Sequence, residues 1–383
     1  MFASLFIKSL NKNKVFLINQ KSNCMKYSLL TLFVCLIMSC GSESSSPNGS
    51  GEMVDLAELR EEIATNITDN FILPSFQELT QKSVSLNQAA ISFRDNTDES
   101  NLDDLRTKHQ ALWTCWQKTS LYFFGPTVDN GLRTSLNTYP TDEDKIENNI
   151  LTGIFQIGSL GNQDAEGLPA LDYLLNGVDD PAPLSFFSEE RLEYINILTT
   201  TIQDNVANTV EDWNNGEFIE NFTGSNANGT DVGSALGLIV NGIDIHFQRF
   251  VRDGKVAIPS GIRTAGVVRP GTVEVRFGRY STSLLETSII AYQNYFNGNG
   301  GPSILEYLRE IDQPELADRI DTHFTIILEK VELLDPSIAQ QTETDNEALI
   351  DLFLSLQDLV TIFKSDMASV MGISITNQDN DGD

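Results

Sequence analysis

Gly167-Leu168-Pro169-Ala170-Leu171-Asp172-Tyr173-Leu174-Leu175-Asn176-Gly177 is the stretch from which the rest of the chain can be read. Gly167 supplies a flexible approach, and Pro169 fits the first turn of a helix, where a missing N–H costs nothing. Leu171, Leu174 and Leu175 fall at i, i+3 and i+4, one apolar stripe that has to pack on another element. Asp172 and Tyr173 lie off that stripe, and a carboxylate in a first turn is favoured by the helix dipole. Taken alone, these residues describe a capped amphipathic helix.

The same helical period extends in both directions, and alternating strand patterns are scarce. Pro74 opens a helix in which Phe76, Leu79, Ser83, Leu86, Ala90 and Phe93 share one face, and the next carries Leu102, Leu105, His109, Leu112, Trp116, Thr119 and Phe123. Two long antiparallel helices of this kind begin a bundle. Because His109 sits within an apolar stripe, a buried, hydrogen-bonded core histidine is expected there. Phe124-Gly125-Pro126 closes the second helix, and Thr127 to Asp142 reads as a long polar loop, of the kind that covers a site. On the other side, Leu192, Ile195, Leu198, Ile202, Val206 and Val210 form the stripe of a helix over 189–213. A Gly/Asn-rich excursion follows, anchored by Phe218 and Phe222. Residues 232–251 return to helix with His246 in the core, and Arg252 to Gly261 reads as a loop. Ser283-x-x-Glu286 has the form of a capping box. Helices over 303–311, 315–334 and 344–372 complete the pattern. The fold class is all-α.

Hydrophobic residues make up 40% of the 383, a globular composition with material for a large core. Acidic residues outnumber basic ones 54 to 25, for a formal charge of −29. Such a surface repels nucleic acid and attracts cations and basic partners, so nucleic-acid binding is set aside. Of the four cysteines, Cys24, Cys35 and Cys40 lie in the first forty residues, so no disulfide framework holds the folded part. Cys115, between Trp113 and Trp116, reads as a small buried hydrophobe.

Met25-Lys26 precedes an apolar run, Leu29 to Met38, that is too short to span a bilayer but fits a secretory signal over 1–39. Residues 1–24 fit poorly as its basic start, which points to Met25 as the initiator. Leu36-Ile37-Met38-Ser39-Cys40 resembles a bacterial lipobox, with Cys40 the lipidated residue. The Ser/Gly/Asn-rich segment over 40–52 then reads as a flexible tether. At the other end, the acidic tail over 373–383 closes with Asp379-Asn380-Asp381-Gly382-Asp383. It opens like an EF-hand loop but lacks the distal glutamate, so little or no calcium binding is expected.

Several of these segments resemble the imelysin family. Its signature reads G-x-H-x-x-E followed by an apolar run and a glycine; here Gly167 is in place, Pro169 stands where the family has histidine, and Asp172 where it has glutamate. Three further features are similar: the Trp-bearing helix with Gly125-Pro126 and the Asn137 to Pro140 turn, the Lys255 to Gly261 loop with Val273-Glu274 beyond it, and the acidic tail. The resemblance implies two helical-bundle domains, 53–240 and 241–372, with a site at their interface near the signature. It also implies a role in bacterial iron uptake and, for the founding members, metallopeptidase activity.

Chemistry weighs against the peptidase here. A catalytic zinc needs about three protein ligands, usually including histidine, and proline at 169 offers none. No H-E-x-x-H or Gly-x-Ser-x-Gly motif is present. The expectation is a lipoprotein of the Gram-negative cell envelope, anchored to the outer membrane by lipid alone, that binds a metal ion, a metal chelate or a protein partner. Its candidate ligand-binding residues are Gly167, Pro169, Asp172, Asp129, Arg133 and Lys255. Asp172 is the candidate metal ligand, because carboxylates suit hard cations such as iron and other divalent or trivalent ions. A metal-dependent peptidase of the imelysin type is the alternative.

Overall fold

Helix boundaries are set where the sequence supplies caps. Asp55 opens α1 (Leu56–Ile67), its carboxylate accepting from the Ala57 N–H at 2.9 Å. A π-helical turn, Thr68–Ile72, runs straight into α2 (Leu73–Asp95), and Asp98 caps α3 (Glu99–Thr119). This computed structural model describes residues 54–177, 182–214 and 217–377. The signal, the tether with Cys40 and the last six residues of the acidic tail lie outside the described residues, so those expectations stand untested.

The signature helix is reached through four short elements. They are α4 (Pro126–Asp129), α5 (Leu132–Leu136), α6 (Glu143–Thr152) and a 3-10 turn at Gln163–Ala165, after which α7 spans Gly167–Asn176. Beyond it come α8 (Glu189–Asn214), α9 (Glu217–Glu220) and α10 (Ala235–His246). The remaining helices are α11 (Ser281–Asn297), α12 (Ile304–Glu310), α13 (Pro314–Glu332), α14 (Ile338–Thr344), α15 (Asn346–Thr361) and α16 (Ala368–Val370). No strand occurs among the described residues, so the fold is all-α.

In one set of helices α2 packs along both α3 and α8, and α5 and α7 pack against α8. Every residue read as a stripe on α2 is buried, Phe76 through Phe93, as are Leu192 through Val206 on α8. In the other set α11, α13 and α15 pack together, with the continuation of α10 against α15. There Phe296 and Phe363 stack with centroids 4.9 Å apart, and Phe247 and Phe324 pack edge-on and tilted around them. The two sets meet along α3 and α11, and α1 reaches α10 and α12. Residue 240, taken as the domain boundary, lies inside α10.

Three local expectations need correction. Residues 127–142 are not a plain loop, because α4 and α5 form there with Leu132 and Leu136 turned inward. The stretch from Arg252 is not a loop either: α10 continues as a π-helix, Phe247–Ala257, whose wider turn the 3.6-residue period does not capture. Ser283 and Glu286 form no capping box, since α11 begins two residues earlier at Ser281. The described part of the tail is pinned to α10, where the Asn241 side chain donates to the Ser374 carbonyl and accepts from the Thr376 N–H.

Candidate functional site

α7 is buried on all sides from Gly167 to Leu175, not along one stripe. It is wedged among α3, α5, α6 and α8. Gly167 has φ 72°, and a Cβ there would sit 2.5 Å from the Leu136 carbonyl oxygen, so only glycine fits the approach. The Leu168 carbonyl meets Nε2 of His109 at 2.9 Å. Burial holds His109 down to about 4, against the opposing pull of that carbonyl, so it is a neutral core histidine as its place in the stripe suggested. Arg106 donates to the Leu175 carbonyl at 2.8 Å, closing the far end of the helix.

Off the apolar stripe but still buried, Asp172 is 1% exposed. Its two oxygens accept the backbone N–H groups of Phe277 and Gly278, each at 2.8 Å, and Asn176 donates to it at 3.1 Å. Burial raises its pKa from 3.8 to about 6, and those donors and Arg276 resist the rise. The segment it holds is tight. Val275 and Arg279 both have positive φ, 49° and 59°. For a β-branched residue such as Val275 that is genuine strain, worth about 1–3 kcal/mol and kept only where the surroundings enforce it.

A second polar cluster lies where α3 and α11 meet. Glu274, 2% exposed, takes three hydrogen bonds on Oε1, from Trp113 Nε1 at 3.0 Å, Gln117 Nε2 at 2.9 Å and Asn137 Nδ2 at 2.6 Å. Its other oxygen pairs with the Lys255 ammonium, itself 5% exposed. Lys255 also donates to Gln117 Oε1 at 2.8 Å, and Ser288 donates to the same oxygen at 2.9 Å. Burial pushes Glu274 up, but Lys255, Asn137 and Gln117 together hold its carboxyl below the usual range. Burial lowers Lys255 against the pull of Glu274. Four further hydrogen bonds on the pair, three to Glu274 and one from Lys255 to Gln117, offset part of the cost of burying it.

Beside this cluster Arg133 lies 3.5 Å from the centroid of the Phe250 ring and donates to the Asn137 carbonyl at 3.3 Å. Arg133, Lys255, Tyr139 and buried His246 line one small cavity; Tyr139, Pro169, Asp172 and Arg276 line another. Each holds about 10 Å³, room for about one water molecule. Tyr139 is common to both. Of the sequence-derived candidates, Pro169 and Asp172 therefore share one cavity and Arg133 and Lys255 its neighbour, while Asp129 is exposed on α4 and lines neither.

Sequence reasoning missed Trp113, Gln117 and Asn137 as partners and left Glu274 without a role. The signal available was a lysine followed by Val256-Ala257-Ile258 and a glutamate between Val273 and Val275. Among the described residues no group of three or more His, Cys, Asp or Glu side chains is placed to hold a metal ion. A groove of about 920 Å³ around Ile91, Leu192 and Thr200 lies between α2 and α8 and involves none of these polar residues.

The described residues are all-helical, with two buried polar clusters, one of them on the helix that Gly167-Leu168-Pro169 opens. Residues 72–361 match the family described as Imelysin, and the chain belongs to that family. Two solved structures share the fold. One is provisionally described as an iron-regulated protein A precursor from Parabacteroides distasonis (TM-score 0.68, 17% identity, 82% of this chain and 97% of that one). The other is an Imelysin-like protein from Psychrobacter arcticum (TM-score 0.69, 15% identity, 84% and 98%). No curated protein matches the chain in sequence.

Proposed function

We propose that this chain is a cell-envelope binding protein of iron or metal acquisition, anchored by lipid at Cys40 and without peptidase activity. In this reading the two helix sets act as two domains, and the ligand is held where they join, around Tyr139, Arg133 and the Asp172-bound segment. The observation that carries it is the commitment of Asp172. Both its oxygens already accept N–H groups, and Pro169, in the place of the family's histidine, has no donor atom. A resident metal ion does not fit that donor set.

A metal chelate suits the lining better, because the Arg133 guanidinium supplies positive charge there in an otherwise strongly acidic protein, whereas the charge of Lys255 is met by Glu274. The neighbouring structure described as iron-regulated makes iron the first metal to try. Entry of anything larger than water requires the Arg276–Gly278 segment to part from Asp172. The test is calorimetric titration of the chain from Met53 onward with ferric citrate, and separately with ferrous and zinc ions. Ferric citrate binding weakened roughly tenfold in Arg133→Ala is the expected result. Absence of chelate binding would refute the reading; stoichiometric binding of a bare ion, lost in Asp172→Ala, would replace it with direct coordination.

A further inference from the structure

We propose that the cleft bounded by the π-helical turn Thr68–Ile72, α3 and α11 is a binding site for an uncharged, polyhydroxylated ligand of mono- or disaccharide size. The cavity is about 400 Å³, within the range of roughly 300–1,000 Å³ typical of small-molecule pockets. It is distinct from the Asp172 and Lys255 clusters, although α3 and α11 also contribute to the Lys255 cluster. On α3, Trp113 and Gln117 face Glu274, whereas Thr114 and Lys118 face the cleft; on α11, Ser288 faces Gln117, whereas Thr287 and Ala291 face the cleft.

The lining defines the chemistry. Four hydroxyl-bearing residues line it, Ser75, Thr114, Tyr122 and Thr287; the Ser75 and Tyr122 hydroxyls lie 3.3 Å apart, and that of Thr287 donates to the Ser283 carbonyl, leaving its lone pairs to accept. Three amides join them, from Asn70, Asn294 and Asn299. Hydroxyl and primary amide groups both donate and accept, which is the pairing a sugar hydroxyl requires. None of the lining residues is acidic, in a chain of net charge −29, and the one cation, Lys118, is paired with Glu78 at 3.4 Å. A charged ligand would therefore find no free countercharge. Phe71, Ile290 and Ala291 add an apolar patch for the C–H face of a ring.

One further observation bears on this cleft. The π-helical turn, a feature frequent at functional sites, carries both Asn70 and Phe71. Directly behind the lining, Tyr295 packs against Phe71 and Tyr122 with centroids 5.8 Å from each and backs that wall.

The test is saturation-transfer difference NMR on the full chain with maltose, cellobiose and N,N′-diacetylchitobiose, and with glucose 6-phosphate as the charged control. At least one neutral disaccharide at about 10 mM is expected to receive saturation. Thr287→Phe, which fills the cleft, is expected to weaken that binding at least roughly tenfold, and Asn70→Ala, an exposed position, to weaken it measurably. Asp172→Ala is expected to leave it unchanged, which separates this site from the one proposed above. No transfer to any neutral sugar, equal or stronger binding of glucose 6-phosphate, or parental binding in both cleft variants would overturn the proposal.

Discussion

Replacing Lys255 by methionine keeps the volume of the stem and removes the charge that faces Glu274. With Lys255 5% exposed and Glu274 2% exposed, neither group is screened by water. Breaking a buried ion pair from one side costs about 3–5 kcal/mol, because the partner charge is left uncompensated. Three donors still reach Glu274, from Trp113, Gln117 and Asn137, so the lower end of that range, about 3 kcal/mol, is expected. Lys255→Met also frees Glu274 to follow burial, and its pKa rises above the unfolded value. A carboxyl with a raised folded pKa favours the folded state only while protonated, so the loss is smallest at acidic pH and grows as pH rises. Adding Glu274→Gln removes the stranded charge and is expected to recover at least half of the loss. Urea unfolding at 25 °C of the two single variants and the double variant measures the cycle. If the single effects simply add, at every pH, the two residues are not coupled and the account of this cluster is wrong.

Acidity also acts through two other groups. For Asp172, with a folded pKa of about 6 against 3.8, the folded state holds the extra proton, so its contribution falls as pH rises through that window, by about 3 kcal/mol. Asp172→Asn should flatten that part of a stability–pH profile; an unchanged slope would show that the burial effect is overstated. His109 works in the opposite sense. Its folded pKa of about 4, below 6.5, means stability is lost as pH falls from 6.5 toward 4, again by about 3 kcal/mol, and His109→Gln should remove that dependence in the same measurement. Gly167→Ala forces a left-handed backbone on a side chain whose Cβ meets the Leu136 carbonyl. It is expected to cost more than about 2 kcal/mol, read as a lowered melting temperature, and a neutral result would contradict the close approach.

The long helices were legible because burial follows the period of the sequence. Phe76 to Phe93 and Leu192 to Val206 announce their inward faces at a spacing that only an α-helix satisfies, and they are buried accordingly. Where the backbone leaves that period, the reading failed. The π-helical run from Phe247 to Ala257 carries Lys255 inward at a position the sequence presented as a loop. Short elements such as α4 and α5 are too brief to show a period, and proximity to α7 and α8 decides their shape. The candidate site was half readable. Pro169, Asp172, Arg133 and Lys255 stood out from their surroundings or from the family pattern, but which of them meet is a property of packing between distant segments. Asp172 shows the limit most plainly: its spacing placed it off the apolar stripe, yet α7 is enclosed on every side, so even that face is buried.

The residues gathered on Glu274 and Gln117 come from far apart along the chain. Trp113 and Glu274 are 161 positions apart, Asn137 and Glu274 are 137 apart, and Gln117 and Ser288 are 171 apart. Bonds of such separation demand long loop closures and form only after the local helices are in place. Disturbing them should therefore leave the refolding rate almost untouched and quicken unfolding. The cluster then governs how long the finished protein lasts more than how fast it forms. Trp113, whose indole N–H ends on that carboxylate, offers a built-in fluorescent clock for the last step of assembly.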